Sequence, residues 1–229
     1  MSLAEYDNLV EQLIPGYASL ARLSVALLAA SPKAGSPGAS VLVAGCGSGA
    51  ELLEARQQRP DWSLTAVDPS EAMLAVARRK LSAAEAAPEA GPSPAIQWIQ
   101  GTVEDVPAVP AFDGALAVLV LQSLPDDGSK LRFLSSLART LRPGAQVVLV
   151  DQMQPERTGL ERQLIAARLI FQGVKLVSLG EQPKAHALGE MHPISLARLA
   201  GLLEASGFSD PAPVFRALDY EGFLLQRLP

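Results

Sequence analysis

With 229 residues, 48% of them hydrophobic and 19% charged, the chain has the bulk and composition of one large globular domain and not of a disordered segment. A formal net charge of −5 argues against a broad nucleic-acid footprint, which relies on clustered Lys and Arg. The single cysteine, Cys46, excludes an intramolecular disulfide framework and fits a reducing compartment.

In chain order, residues 4–30 read as one or two helices, with Leu20, Leu23, Leu27 and Leu28 at roughly helical spacing. SPKAGSPGAS (31–40) is a turn-rich break. VLVAGCGSG then reads as a buried strand entering a tight glycine loop, followed by a helix over 50–58 and a second strand, SLTAVD (63–68). Ser70 is placed to cap the next helix, on which Met73, Leu74, Ala77 and Leu81 share a face. Residues 83–95 are low in complexity and read as a connection. Strands are expected at 96–100, 114–121 and 146–151. A helix over 129–141 carries Leu131, Leu134, Leu137, Ala138 and Leu141 on one side. A helical stretch over about 157–179 precedes a polar loop with both histidines. Another helix, 195–206, is capped by Ser195 and stopped by Gly207, and two strands close the chain near 213–218 and 220–227.

Alternating strands and helices imply an α/β fold: a Rossmann-like doubly wound sheet of about seven strands, mostly parallel with an antiparallel last strand, helices on both faces. A single domain is expected, with an N-terminal helical cap (1–35), a cofactor-binding core (36–153), a helical substrate-side insertion (154–194) and a C-terminal helix with strands (195–229). The N-terminus lacks a basic region followed by a continuous apolar core, and no apolar run approaches the roughly 20 residues that cross a bilayer. A cytoplasmic location without membrane contact is the expectation. No metal is expected, because His186 and His192 are the only histidines and their spacing matches no standard ligand pair.

The chemistry centres on Gly45-Cys46-Gly47-Ser48-Gly49, between the first strand and first helix. Glycines there let the backbone turn sharply and approach a ligand, and the helix beyond presents free N–H groups. Asp68 ends the second strand about 20 residues on, where a carboxylate can accept both hydroxyl hydrogens of a ribose. The glycine pattern alone does not separate a dinucleotide from S-adenosylmethionine. None of Tyr6, Tyr17 or Tyr220 has a Lys four residues later, so the catalytic pair of short-chain dehydrogenases is absent.

Five ordered motifs over about residues 10–155 resemble the class I S-adenosylmethionine-dependent methyltransferases of the type 11/12 group. VLVAGCGSG resembles their first motif, AVDPSEAMLAVARRKL their second, and GTVEDVP (101–107) their adenine-side loop. FDGALAVLVLQSLPDD (112–127) resembles the fourth-strand segment and LRPGAQVVLVDQM (141–153) the turn into the fifth. The resemblance implies S-adenosyl-L-methionine as cofactor, held by Gly45, Cys46, Gly47, Gly49, Asp68, Pro69, Met73, Thr102, Val103 and Val118. Three positions depart from the pattern. Val43, Thr102 and Val118 stand where the family usually has an acid, an aspartate and an asparagine, each removing a polar contact of roughly 0.5–1.5 kcal/mol.

IPGY (14–17), LQSL (121–124) and LEASGF (203–208) are similar to the carboxy-S-adenosylmethionine synthase branch, which implies a cofactor contact for Tyr17; a core-capping tyrosine is the equal alternative. That branch has an arginine in the helix leading to its AGF-like ending. Alignment on Ser206-Gly207-Phe208 puts Leu202 at that position, with Arg198 one helical turn earlier.

The foremost reading is O- or N-methylation of a small, partly apolar molecule. The rivals are a carboxy-S-adenosylmethionine synthase-like enzyme linked to tRNA modification and a non-catalytic cofactor-binding module. Catalysis is then mainly alignment, with His186 or His192, beside Glu190, as a candidate general base. Cys46 and the two tryptophans, Trp62 and Trp98, read as packing residues. Leu164, Ile165, Leu169, Ile170 and Phe171 would either enclose the acceptor or bury a homodimer contact.

Overall fold

The computed structural model describes residues 10–86, 91–155, 159–173 and 190–229. Its elements are α1 (Tyr17–Ala29), β1 (Ser40–Ala44), α2 (Ala50–Gln58), β2 (Ser63–Asp68), α3 (Glu71–Glu85), β3 (Gln97–Gln100), β4 (Phe112–Val118), α4 (Ser129–Thr140), β5 (Leu141–Gln152), α5 (Glu161–Phe171), α6 (Leu196–Ser206), β6 (Ala212–Ala217) and β7 (Tyr220–Gln226). Seven strands form one sheet in the order β3-β2-β1-β4-β5-β7-β6. β1, β2, β3, β4 and β5 pair in parallel, and β7 runs antiparallel to both its neighbours.

The apolar runs of the central strands follow from burial on both faces. Val41 and Val43 of β1 join Leu64, Ala66, Leu116 and Val148 in a core roofed by α1, α2 and α3. Leu42 and Ala44 join Val67, Ala115, Ala117 and Leu149 in the opposite core with α4 and α6. Each buried leucine or valine contributes roughly 1.5–3 kcal/mol, so a one-residue register slip in β1 would exchange the two cores. Trp62 is fully buried, donates from Nε1 to Ala34 O at 2.8 Å and lies under the Arg59 guanidinium. Its packing role matches the expectation.

Several element boundaries differ from the sequence reading: α3 runs on to Glu85, into the stretch read as a connection, and β4 starts at Phe112. β4 stops at Val118 and not at Leu121, because Leu119 turns out of the sheet at φ 60° while its N–H still donates to Val150 O. β5 starts at Leu141, which therefore belongs to the strand and not to α4; Gly144 at φ 79° lets that early stretch donate to Arg227 O. Of the helical stretch over 157–179, α5 accounts for Glu161–Phe171; residues 157, 158 and 174–179 lie outside the described residues. The Ser70, Ser195 and Gly207 helix signals are all present: Ser70 Oγ accepts from Met73 N, Ser195 Oγ from Arg198 N, and Gly207 is left-handed.

The strand order reverses between β1 and β4, so the loops after them diverge and leave a crevice at the carboxyl edge of the sheet. Among the described residues, no helix is long and apolar enough to cross a membrane.

Candidate functional site

The loop from β1 to α2 rises at this crevice. The N–H groups of Gly45 and Cys46 both donate to Val67 O, at 2.8 and 3.0 Å, which folds the loop back onto β2. Gly45, Gly47 and Gly49 all take left-handed φ values, of 70°, 50° and 89°. A Cβ on Gly45 would stand 2.4 Å from Val120 Cγ2, and one on Gly49 would stand 2.8 Å from Ala77 Cβ. Nothing lies within 4 Å of the corresponding point on Gly47. Two glycines are thus demanded by packing, and the middle one faces open space that suits a ligand laid across the loop.

Asp68 is buried and doubly held, with Oδ2 accepting from Gly47 N at 2.8 Å and Oδ1 from Ser70 N at 2.9 Å. The carboxylate is therefore fixed before any ligand arrives, and each oxygen retains a lone pair. Gly101 N donates to Asp68 O, which brings the loop after β3 alongside. There Thr102 caps a short turn with Asp105, whose Oδ2 accepts from both Thr102 N (2.8 Å) and Oγ1 (3.1 Å), and Val103 is buried. Pro69 is exposed and Met73 half-buried on the first turn of α3, while Val118 ends β4 half-buried.

Cys46 is 2% exposed, and burial first, then the charges of Asp68 and Glu51, push its thiol up to about 12. A thiol so reluctant to ionise packs and does not attack. The second acid, Glu51, was not singled out in the sequence. It lies in the first turn of α2, and burial pushes its carboxyl up to about 7.

Across the crevice, a buried polar network fixes the chain after β4. Asp151 accepts from Leu121 N (3.3 Å) and Gln122 N (2.9 Å), and Lys130 Nζ donates to Leu121 O at 2.5 Å. Gln122 Oε1 accepts from Gln152 N at 2.7 Å, and Gln122 O accepts from His192 N at 2.7 Å. Burial pushes the Asp151 carboxyl up to about 7 and lowers the Lys130 ammonium. The acid ending the fifth strand was the available sequence signal for this network.

A glycine loop on a switch point, a strand-end carboxylate and a braced loop after the fourth strand can now be set beside known proteins. The methyltransferase-domain family matches residues 41–144, the stretch that carries all three. The chain's core is similar to the class I S-adenosylmethionine-dependent methyltransferases.

The chain is 32% identical over 122 residues to a demethylmenaquinone methyltransferase of Symbiobacterium thermophilum, covering 52% of this chain and 45% of the relative. It thus spans about half the length of that curated relative. A carboxy-S-adenosyl-L-methionine synthase of Geobacter metallireducens is 25% identical, over 98% of this chain and 90% of its own. A solved methyltransferase from Methanosarcina mazei superposes with a TM-score of 0.59 at 20% identity, covering 84% of this chain and 94% of its own. That last likeness shows the fold.

The core over residues 41–144 gathers most of the expected residues along one edge. Gly45, Cys46, Gly47, Gly49 and Asp68 meet through the hydrogen bonds above, with Thr102 and Val103 joined through Gly101. Tyr17 opens α1 half-buried against the α1-side core, next to Gly16, which abuts Phe215 of β6. His192 is half-buried and its main chain reaches the loop after β4, whereas Glu190 is exposed. His186 lies outside the described residues. On α5 no side chain is fully buried; Arg168 pairs with Asp219 and Gln172 Nε2 donates to Leu13 O, tying the helix to the β6–β7 turn and the N-terminal segment.

Proposed function

We propose that this chain transfers the methyl group of S-adenosylmethionine to an oxygen or nitrogen of a small, partly apolar acceptor. The observation that carries the reading is the glycine loop with its open face at Gly47, its N–H held by buried Asp68 and a second buried acid, Glu51, two residues after Gly49. That setting disfavours the pyrophosphate of a dinucleotide by like-charge repulsion and favours a cationic ligand. When bound, S-adenosylmethionine supplies a methyl on a sulfonium, a leaving group already activated.

Asp68 holds the ribose hydroxyls, and Thr102 and Val103 flank the adenine. Gly45, Cys46, Gly47 and Gly49 line the cofactor from below, with Pro69, Met73, Val118 and Tyr17 completing its surroundings. The half-buried Leu164 and Leu169 and the exposed Ile165, Ile170 and Phe171 of α5 wall the acceptor. A second copy of the chain against the same face is the rival use of those side chains. His192, tied through its main chain to the loop after β4, serves as general base where the acceptor holds its proton, with His186 the alternative. The cell compartment that fits is the cytoplasm.

A second reading, synthesis or use of carboxy-S-adenosylmethionine, draws on the whole-length likeness to the Geobacter metallireducens protein. It fits less well, because Leu202 is buried in the α4–α6 core and the Arg198 guanidinium is held by both oxygens of Asp126, each at 3.0 Å. The test of the main reading is titration calorimetry with S-adenosylmethionine, S-adenosylhomocysteine and NAD, followed by transfer of labelled methyl to a reduced demethylquinone. Binding of NAD alone would sink it.

A further inference from the structure

Glu51 is 7% exposed, yet among the described residues no hydrogen-bond donor or cation of another residue pairs with its carboxylate. Its own main-chain N–H is the one contact that favours the ionised form. A carboxyl buried in this way carries an energetic cost that an incoming cation relieves. Its place is fixed by the chain: Glu51 stands in the first turn of α2, two residues after Gly49, while Asp68 accepts from Gly47 N within the same loop. Basic side chains nearby are engaged elsewhere: Arg56 pairs with Glu85 and Arg78 with Glu71.

The strand order gives the ligand a direction. β3 lies on one side of β2 and β1 on the other. With the ribose at Asp68 and the adenine toward Thr102, the amino-acid end extends over β1, where α2 begins. The acid that the family usually carries on β1 is Val43 here, 2% exposed and part of the core. We propose that Glu51 takes its place from the next element and receives the α-ammonium group at the amino-acid end of the cofactor. This rests on the cofactor reading above and assigns to it a recognition residue outside the motif positions.

The deciding experiment is titration calorimetry at pH 8 on the wild type and Glu51→Gln, using S-adenosylmethionine, S-adenosylhomocysteine and 5′-methylthioadenosine, which lacks the amino-acid end. A thermal melt of each variant confirms folding. The expected result is a roughly ten- to hundredfold loss for the first two ligands in Glu51→Gln, with methylthioadenosine unchanged. Unaltered affinity for S-adenosylmethionine overturns the proposal, as does an equal loss for all three ligands. A loss confined to S-adenosylmethionine overturns the ammonium assignment, because the homocysteine form keeps its ammonium and lacks the sulfonium. Failure of the wild type to bind any of the three removes the cofactor reading itself and is seen before any variant is compared.

Discussion

Replacing Glu51 by Gln should stabilise the ligand-free protein in alkali and leave it nearly unchanged in acid. Burial raises the folded-state carboxyl from its ordinary 4.5 to about 7, so the fold favours the protonated form. Stability from that preference is fully present below about 4.5 and is lost as pH rises through about 7. At roughly 1.4 kcal/mol per pH unit, the displacement corresponds to about 3 kcal/mol. For a chain of this size that is roughly 6–12 °C in Tm. Glutamine keeps the shape and never ionises, so its Tm should exceed the wild type's by that amount at pH 8.5 and by only about 2–3 °C at pH 5. The other ionisable groups on α2 and on the helices packed against it are Glu54 and Arg56 on α2, Tyr17 and Arg22 on α1, and Glu71, Arg78, Arg79, Lys80 and Glu85 on α3, with Cys46 and Asp68 at the loop. Both proteins share these, and also the raised Asp151, so they cancel in the difference curve. Differential scanning fluorimetry across pH 5–8.5 measures it. Parallel curves would refute the claim that the acid is buried at a cost, and with it the reason for expecting a cation there.

Asp68→Ala should weaken S-adenosylmethionine by roughly 1.5–3 kcal/mol in calorimetry, through lost charge-assisted bonds, and also lower Tm because Gly47 N and Ser70 N lose their acceptor. Unchanged affinity with an intact fold would show that the pocket lies elsewhere. Gly45→Ala should lose cofactor affinity and several degrees of Tm, since its Cβ meets Val120 at 2.4 Å at a left-handed φ of 70°; a melt identical to the wild type's would contradict that geometry. In a competition between S-adenosylmethionine and its carboxylated form, no preference for the carboxylated cofactor should emerge, because Leu202 is buried and Arg198 is paired with Asp126. A preference that disappears in Arg198→Ala would promote the second reading.

The parts of this fold that were legible are those where local pattern and tertiary outcome agree. VLVAG had to be a doubly buried strand because alternate residues feed two cores, and SLTAVD ended at Asp68 because the next residue is proline. The β4 ending was misread because Leu119, Val120 and Leu121 continue the apolar run, and periodicity cannot distinguish a strand from a turn built of leucines. What ends the strand is the Leu119 N–H reaching Val150 O and the Asp151 carboxylate collecting the Leu121 and Gln122 amides, contacts separated by about 30 residues.

The same reasoning explains which half of the site was visible. Asp68 stands out because a strand-end acid after a glycine loop is a local pattern, whereas Glu51 in AELLEARQQ looks like any charge on an exposed helix. Only the packing of α1 and α3 against α2 turns that glutamate into a buried acid. The loss of the β1 acid at Val43 and the burial of Glu51 gain meaning together. A loop that must hold a cation needs a carboxylate within reach, and the chain can supply it from strand or helix provided the charge arrives at the same edge of the sheet. Motif matching registers the first change as degeneration. With Glu51 at the cofactor's amino-acid end, as proposed above, the change is a relocation, and the substitution at residue 43 does not by itself argue for a non-catalytic binder.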